Sequence, residues 1–335
     1  MNNFELTNAG MLTTIQDSGR SHLQHLGIPA SGPMDILAAR LANILVGNES
    51  DAAVLEATYT GPVIRFNTET TVAITGAKTK AKLNGFEVDS YLPIAIKSGD
   101  TLDLSVVESG LRVYIAFAGG IQTEKVLDSR ATYLPMKFGE FDRKLKTGDR
   151  IPIKAKTFNN YLSVDTELRF NRHDLYDIRI VEGPQCEYFE DKLKQNMVDS
   201  IYKVSQQSDR MGIRFIGTEL ITEQKDMISD GIPLGSVQIT RGGQPIIMMA
   251  DRQPTGGYPK IAKVIQNDIP KLAQLKPGDK IKFKWISISE SLKLFQELED
   301  KIDKLKEKIN NQQSPNAAYR IYIGDKVYLT SLQEK

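Results

Sequence analysis

One cysteine, Cys186, stands in 335 residues, so no internal disulfide can form and nothing calls for an oxidising compartment. Histidine is scarce too. Of three, only His22 and His25 are neighbours, which leaves a structural zinc site without ligands and gives no metal site to predict. Charge of one sign is also missing: Lys plus Arg is 43 against 42 for Asp plus Glu, a net charge of +1. That balance argues against nucleic acid or an anionic membrane surface as partner, since either needs a one-signed field. No apolar run approaches the ~18–20 residues that cross a bilayer. Met1 to Gly10 carries Glu5 and several polar residues where a secretory peptide would be apolar. No Gly-Lys dipeptide occurs, hence no Walker A loop, and G-x-G-x-x-G, G-x-S-x-G and H-E-x-x-H are absent. With 40 % hydrophobic and 25 % charged residues, the expectation is a soluble, cytoplasmic chain long enough for two domains.

What is present is mostly strand. Val72 to Thr75, Leu92 to Ile96, Leu102 to Val107, Val113 to Ala118, Arg179 to Val181 and Ile246 to Ala250 are short apolar runs bounded by turn residues. A Gly-Asp turn entering a new strand recurs at Gly99-Asp100, Gly148-Asp149 and Gly278-Asp279. Helices are few. Met34, Leu37, Ala38, Leu41 and Leu45 share one helical face, and Phe189, Leu193 and Met197 are spaced by four. Each lies near the start of a proposed half, which puts a boundary around residues 155–178, in the polar stretch Lys156 to Asp177. Further on, Phe295, Leu298, Ile302, Leu305 and Ile309 form a short a/d seam, read as a helix packed on its own chain in preference to a helical dimer contact. Tyr319 to Leu329, with Gly324-Asp325 at its centre, reads as a closing hairpin.

Two stretches carry more polar chemistry than connectors need. Gln16 to Asp35 gathers Asp17, Arg20, Gln24, His25 and Asp35 in a loop that opens a helix, where free N–H groups attract an anion. A loop ordered by its own polar groups explains the same residues equally well. Gln244 to Lys260 is an apolar strand ending in Asp251-Arg252, then Gln253, Thr255, a Gly256-Gly257 turn, Tyr258 and Lys260. Arginine can grip a carboxylate or phosphate bidentately, lysine offers a point charge, and the glycines let a ligand approach the backbone. Asp251 also has a plainer use, pairing with Arg252 or Arg210. Asp209-Arg210 and Arg214 repeat the theme and are candidates for the same pocket. His22 and His25 read as turn residues, and Cys186 as a buried, unreactive thiol.

Taken together these motifs resemble the biotin-dependent carboxyltransferase/Kip-antagonist family, also called allophanate hydrolase subunit 2, with its 5-oxoprolinase branch nearest. The match rests on T-I-Q-D-S-G-R and Q-H-L-G-I-P-A-S-G-P-M-D near the start and A-G-G-I at Ala118 to Ile121. It continues in S-D-R-M-G-I-R at Ser208 to Arg214 and A-D-R-Q-P-T-G-G-Y-P-K-I-A at Ala250 to Ala262. The family usually has Thr where Pro254 stands, is richer in glycine around residues 137–141, and ends before the tail from about Pro315 to Lys335.

The resemblance implies a mainly β fold of two cyclophilin-like β-barrels with few helices: residues 1–165, 166–287, then a helix and hairpin over 288–335. It implies a subunit of an ATP-dependent complex that opens 5-oxo-L-proline to L-glutamate, active with a Kip-inhibitor-type sibling and a third subunit. ATP with Mg would act at the level of the complex. On that reading Asp209, Arg210, Asp251, Arg252 and Lys260 are the catalytic candidates. Asp17, Arg20, Gln24, His25, Asp35, Arg214, Gln253, Thr255, Gly256, Gly257 and Tyr258 are the small-molecule substrate contacts. The family offers two alternatives. One is a carboxyltransferase subunit of the urea carboxylase kind, its biotin arriving on another protein because this chain has no Ala-Met-Lys-Met. The other is a non-catalytic regulator that binds a Kip-inhibitor-like partner.

Overall fold

Alternation of apolar and polar side chains places strands along most of the chain, and the computed structural model describes residues 2–158, 162–222, 227–311 and 318–331. In chain order the first strands are β1 (Asn3–Asn8) and β2 (Leu12–Gln16), followed by helix α1 (Ile36–Leu45). Then come β3 (Val54–Thr58), β4 (Val63–Phe66), β5 (Thr70–Thr79), β6 (Lys82–Leu83), β7 (Phe86–Glu87), β8 (Pro93–Ile96), β9 (Thr101–Asp103), β10 (Val107–Phe117) and β11 (Arg150–Pro152). The next stretch holds β12 (Leu175–Glu182), α2 (Asp191–Asp199), β13 (Ile201–Val204), β14 (Gly212–Ile216), β15 (Asp230–Gly231), β16 (Ser236–Ile239) and β17 (Pro245–Met248). It continues with β18 (Thr255–Gly256), β19 (Lys260–Val264), α3 (Ile269–Ala273), β20 (Lys280–Trp285) and α4 (Ile288–Asn311). The hairpin β21 (Ala318–Ile323) and β22 (Lys326–Ser331) closes the described chain.

These elements cluster into two units. Met1–Gly19, Asp35–Phe170 and Lys301–Lys335 make the first; Arg20–Met34 and Asn171–Asp300 make the second. The first holds an eight-stranded sheet, β11-β1-β4-β9-β6-β7-β22-β21, and a five-stranded one, β2-β3-β10-β5-β8. Their facing side chains share one core, in which Phe4 and Phe117 stack at 4.4 Å beside Phe66. The long apolar run at Leu102 to Val107 is split between two strands, because Ser105 N–H donates to the Asp103 carboxylate at 2.8 Å and turns the chain.

The second unit is a closed barrel, β12-β19-β16-β17-β14-β13-β20. Its interior follows the period of two that strands impose: Ile178, Ile180, Tyr202, Ile213, Phe215, Val237, Ile247, Ile281 and Phe283 are all buried. Outside it, β15 and β18 form a two-stranded ladder with Asp230 opposite Gly256. The mainly β class expected from the sequence is what the chain adopts.

The three Gly-Asp turns are one device used three times. Gly99, Gly148 and Gly278 take φ values of 90, 90 and 96°, a region that suits glycine. The following Asp carboxylate in each accepts the backbone N–H of Lys97, Lys146 or Lys276, at 2.7, 2.7 and 2.9 Å. In the third copy the same carboxylate also takes Arg172 bidentately, at 2.6 Å on both oxygens, which ties Asn171-Arg172-His173 to the barrel. The Asn159-Asn160 part of the polar stretch, and residues 312–317 and 332–335 of the tail, lie outside the described residues. Helix α4 behaves differently along its length. Ile302, Leu305 and Ile309 are buried, whereas Ile288 and Leu292 face solvent.

Candidate functional site

Two Asp-Arg dipeptides sit where the β14–β17 ladder of the second unit runs out. Met249 N–H donates to Met211 O and Asp251 N–H to Arg210 O, both at 2.9 Å, so the two dipeptides lie opposite each other. The inner members pair. Arg210 donates from Nε to Asp251 Oδ2 at 2.8 Å and from Nη2 to Oδ1 at 3.0 Å, and also from Nη2 to Gly32 O at 2.6 Å. Ser31 Oγ donates to Asp251 Oδ1 at 2.8 Å from a residue held at φ 61°. Ser31, Arg210 and Asp251 are all buried. Of the two partners the sequence offers Asp251, the one taken is Arg210, and the pair anchors the 20–34 loop to the barrel within this unit.

The outer members do something else. Asp209 is exposed, and its Oδ1 accepts the N–H groups of Met211 and Gly212 at 2.8 and 3.1 Å, which makes it the cap of a turn. Arg252 is half-buried, and carbonyls take its hydrogen bonds: Nε donates to Ile232 O at 2.8 Å and Nη1 to Met249 O at 3.2 Å. Among the described residues it has no carboxylate partner. Burial lowers its pKa, yet a guanidinium stays cationic at neutral pH. The result is a positively charged group held in place without being neutralised.

Lys260 is 1 % exposed and donates from Nζ to Asp230 Oδ2 at 2.7 Å. Asp230 is half open to solvent, and the Lys260 hydrogen bond, followed by the Gly231 N–H, holds its carboxyl below the ordinary value. Gln185 Oε1 accepts the Lys260 N–H at 3.1 Å. Gln238 lies opposite Lys260 in the β16–β19 register and donates from Nε2 to Tyr258 O at 3.2 Å. Arg252 and Lys260 thus bracket the Asp230–Ile232 segment, with Gln253, Thr255, Gly256, Gly257 and Tyr258 in the loop between them.

The remaining candidates are held by backbone. In the second unit, Arg20 is buried with its N–H on Ala30 O at 2.6 Å. Gln24 and His25 form a single helical turn that Gly27, at φ 78°, closes. Arg214 is exposed on β14. In the first unit, Asp17 accepts the N–H groups of Gly19 and Arg130 and the Ser129 hydroxyl. Asp35 is the N-cap of α1, accepting Ala38 N–H at 2.8 Å and donating its own N–H to Tyr114 Oη, which in turn donates to Glu56. Ser31, Asp230, Gln238 and the Tyr114–Glu56 pair escape sequence reading. Asp230 looks like a loop residue in Ser-Asp-Gly, and only Gln238, a polar residue inside the strand Ser-Val-Gln-Ile, carries a visible signal. Cys186 is buried, and that burial pushes its pKa up. Among the described residues no helix is long and apolar enough to cross a membrane.

The family model of the carboxyltransferase domain, subdomain A and B, matches residues 26–285, which includes every barrel strand of the second unit. The chain belongs to that family. Within it, the C component of 5-oxoprolinase from Escherichia coli (strain K12) is 36 % identical over 311 residues, covering 92 % of this chain and 99 % of that protein. The Haemophilus influenzae protein of the same name is 35 % identical over 296 residues, covering 88 % of this chain and 94 % of its own length. Among solved structures, Kluyveromyces lactis urea carboxylase resembles this chain at a TM-score of 0.85 and 29 % identity. That match covers 97 % of this chain and 30 % of the other, so it spans under a third of the larger protein.

Proposed function

We propose that this chain is a cytoplasmic subunit of an ATP-dependent 5-oxoprolinase complex, a lactam hydrolase active with a Kip-inhibitor-type sibling and a third subunit. The observation that carries the reading is Arg252, a half-buried guanidinium bonded to carbonyls in a glycine-containing loop that leads to Lys260. The relatives named as the C component of 5-oxoprolinase match over nearly their whole length, which supports the same reading.

A lactam resists water because its nitrogen lone pair is delocalised into the carbonyl. Transfer of the ATP γ-phosphoryl group to the lactam oxygen, with ADP leaving, makes the ring carbon electrophilic. Water then adds to that carbon, the C–N bond breaks toward nitrogen, and nitrogen takes a proton. A second water releases phosphate from the resulting acyl phosphate and leaves glutamate. Mg accompanies ATP within the complex. Arg252 is suited to the substrate carboxylate or to phosphate charge, while Lys260, ion-paired with Asp230, holds the Asp230–Ile232 segment beside it. Arg210 and Asp251 keep the loop that presents Arg252 in register, with Asp209 setting the turn.

The likeness to urea carboxylase favours one other reading, carboxyl transfer from biotin carried on another protein, with Arg252 holding the carboxylate. The test is glutamate release from 5-oxo-L-proline with ATP, comparing the siblings alone with the siblings plus this chain. Release that depends on this chain supports the proposal. A well-formed complex that releases none overturns it, and carboxybiotin with urea is the next assay. Partner binding without turnover on either substrate would leave the regulator.

A further inference from the structure

The second unit leaves two apolar surfaces open to solvent, and their charges are opposite. The first is the outside of the barrel. Tyr176, Tyr202, Phe215 and Ile281 point into its core, so the residues that alternate with them face out. On one rung Leu175, Lys280, Lys203 and Ile216 stand side by side across β12, β20, β13 and β14. On the next, Asp177, Lys282 and Ile201 do so. Lys284 continues the row on β20, and Arg214 lies on the same outer face of β14. Leu175, Ile201 and Ile216 are 40, 54 and 60 % exposed. Among the described residues none of the four lysines, nor Arg214, has an acidic partner. Asp177 is the one acid in the two rungs.

The second surface is the first half of α4. Ile288, Leu292 and Phe295, spaced by four and three, line one side of the helix and are 65, 64 and 38 % exposed. Around them, Ile288 to Asp300 holds Glu290, Glu297, Glu299 and Asp300 against the single cation Lys293. The helix is held to its own unit from behind, by Asn267 Nδ2 donating to Leu294 O at 2.9 Å. Its first turn lies beside the barrel face, since the Glu290 charge acts on Arg179, the neighbour of Lys284 across the β12–β20 ladder. An apolar stripe edged with acids matches an apolar face edged with lysines, and exposed apolar surface of this kind marks a contact site. We infer that the Ile288–Asp300 half of α4 docks on the β12–β20–β13–β14 face of a second copy of this chain, each copy giving its helix and receiving its partner's. Helix and face belong to one unit and adjoin, so a single two-fold axis forms both contacts and closes the pair. Pairing two such helix halves directly would set acid against acid.

The experiment is sedimentation equilibrium of the purified full chain at micromolar concentrations, in low and in high salt. Wild type should dimerise, and raising salt from about 0.05 to about 0.5 M should weaken the dimer tenfold or more. Lys203→Glu with Lys280→Glu should be monomeric, and so should Glu297→Lys with Asp300→Lys. Mixing those two variants should restore a dimer, because each now meets its opposite charge in both contacts; this also shows that both are folded. Leu292→Ala, which barely changes the stability of the single chain, should weaken association as well. A wild type that stays monomeric overturns the inference, including where a co-expressed sibling then occupies the lysine face. A dimer that ignores salt and both charge reversals, or variants that fail to associate on mixing, overturns it too.

Discussion

Asp209-Arg210 and Asp251-Arg252 are the same dipeptide in one barrel, and they divide into opposite roles. The inner pair, Arg210 and Asp251, is buried and bonded on nearly every side, so its charges neutralise each other and hold a loop. The outer Arg252 is fixed by two carbonyls and keeps its positive charge available. What separates them is the partner, not the residue type: a carboxylate consumes a guanidinium, whereas a carbonyl only orients it. A buried ion pair is mainly a liability when broken, and an oriented, unneutralised cation is what an anionic substrate needs.

Breaking the inner pair should have the largest effect. Asp251→Ala leaves a buried guanidinium uncompensated, and chemical denaturation should show a loss of about 3–5 kcal/mol. Adding Arg210→Met to it should recover part of that loss, and the double-mutant cycle gives the coupling. Next in size is Ile302→Ala in the buried half of α4, expected to cost about 2–4 kcal/mol, against almost nothing for Leu292→Ala in the exposed half of the same helix. Acid should then unpick the buried acids. Burial works to raise the pKa of Asp268, but bonds from Arg179 and Lys271 outweigh it and hold the carboxyl below its ordinary value. A group with a depressed folded pKa stabilises above its unfolded pKa of about 4 and loses that contribution as pH falls through the folded value. Stability should therefore fall below about pH 4 in the wild type and fall less in Asp268→Asn. Smallest of all, Cys186 should react slowly with iodoacetamide in the folded chain and at the rate of a free thiol in urea.

Much of this is legible in the order of the amino acids. Strand periodicity gives the mainly β class and, within the barrel, marks Arg179 to Val181 and Ile246 to Ala250; the three Gly-Asp turns stand out because each needs glycine at positive φ and an acid to accept a backbone N–H. Gln244 to Lys260 is conspicuous as a polar loop after a buried strand. Which arginine Asp251 takes does not follow from sequence, since both are equally near in type and only the ladder register brings Arg210 opposite. Lys260 and Asp230 are thirty residues apart, and a half-exposed acid in a Ser-Asp-Gly turn carries no periodic signal. Asp17 and Asp35 look like site acids but serve loop and helix backbones, a role that short polar side chains fill as often as chemistry.

The most direct test of this division is the turnover of an Arg252→Ala complex assayed at a temperature where it is fully folded. The account predicts a stability loss of about 1–3 kcal/mol from the two carbonyls left without their donor, while glutamate formation per ATP falls by about a hundredfold or more. An Arg252→Ala complex that turns over as wild type does would contradict it, because the unneutralised guanidinium would then have no part in the reaction.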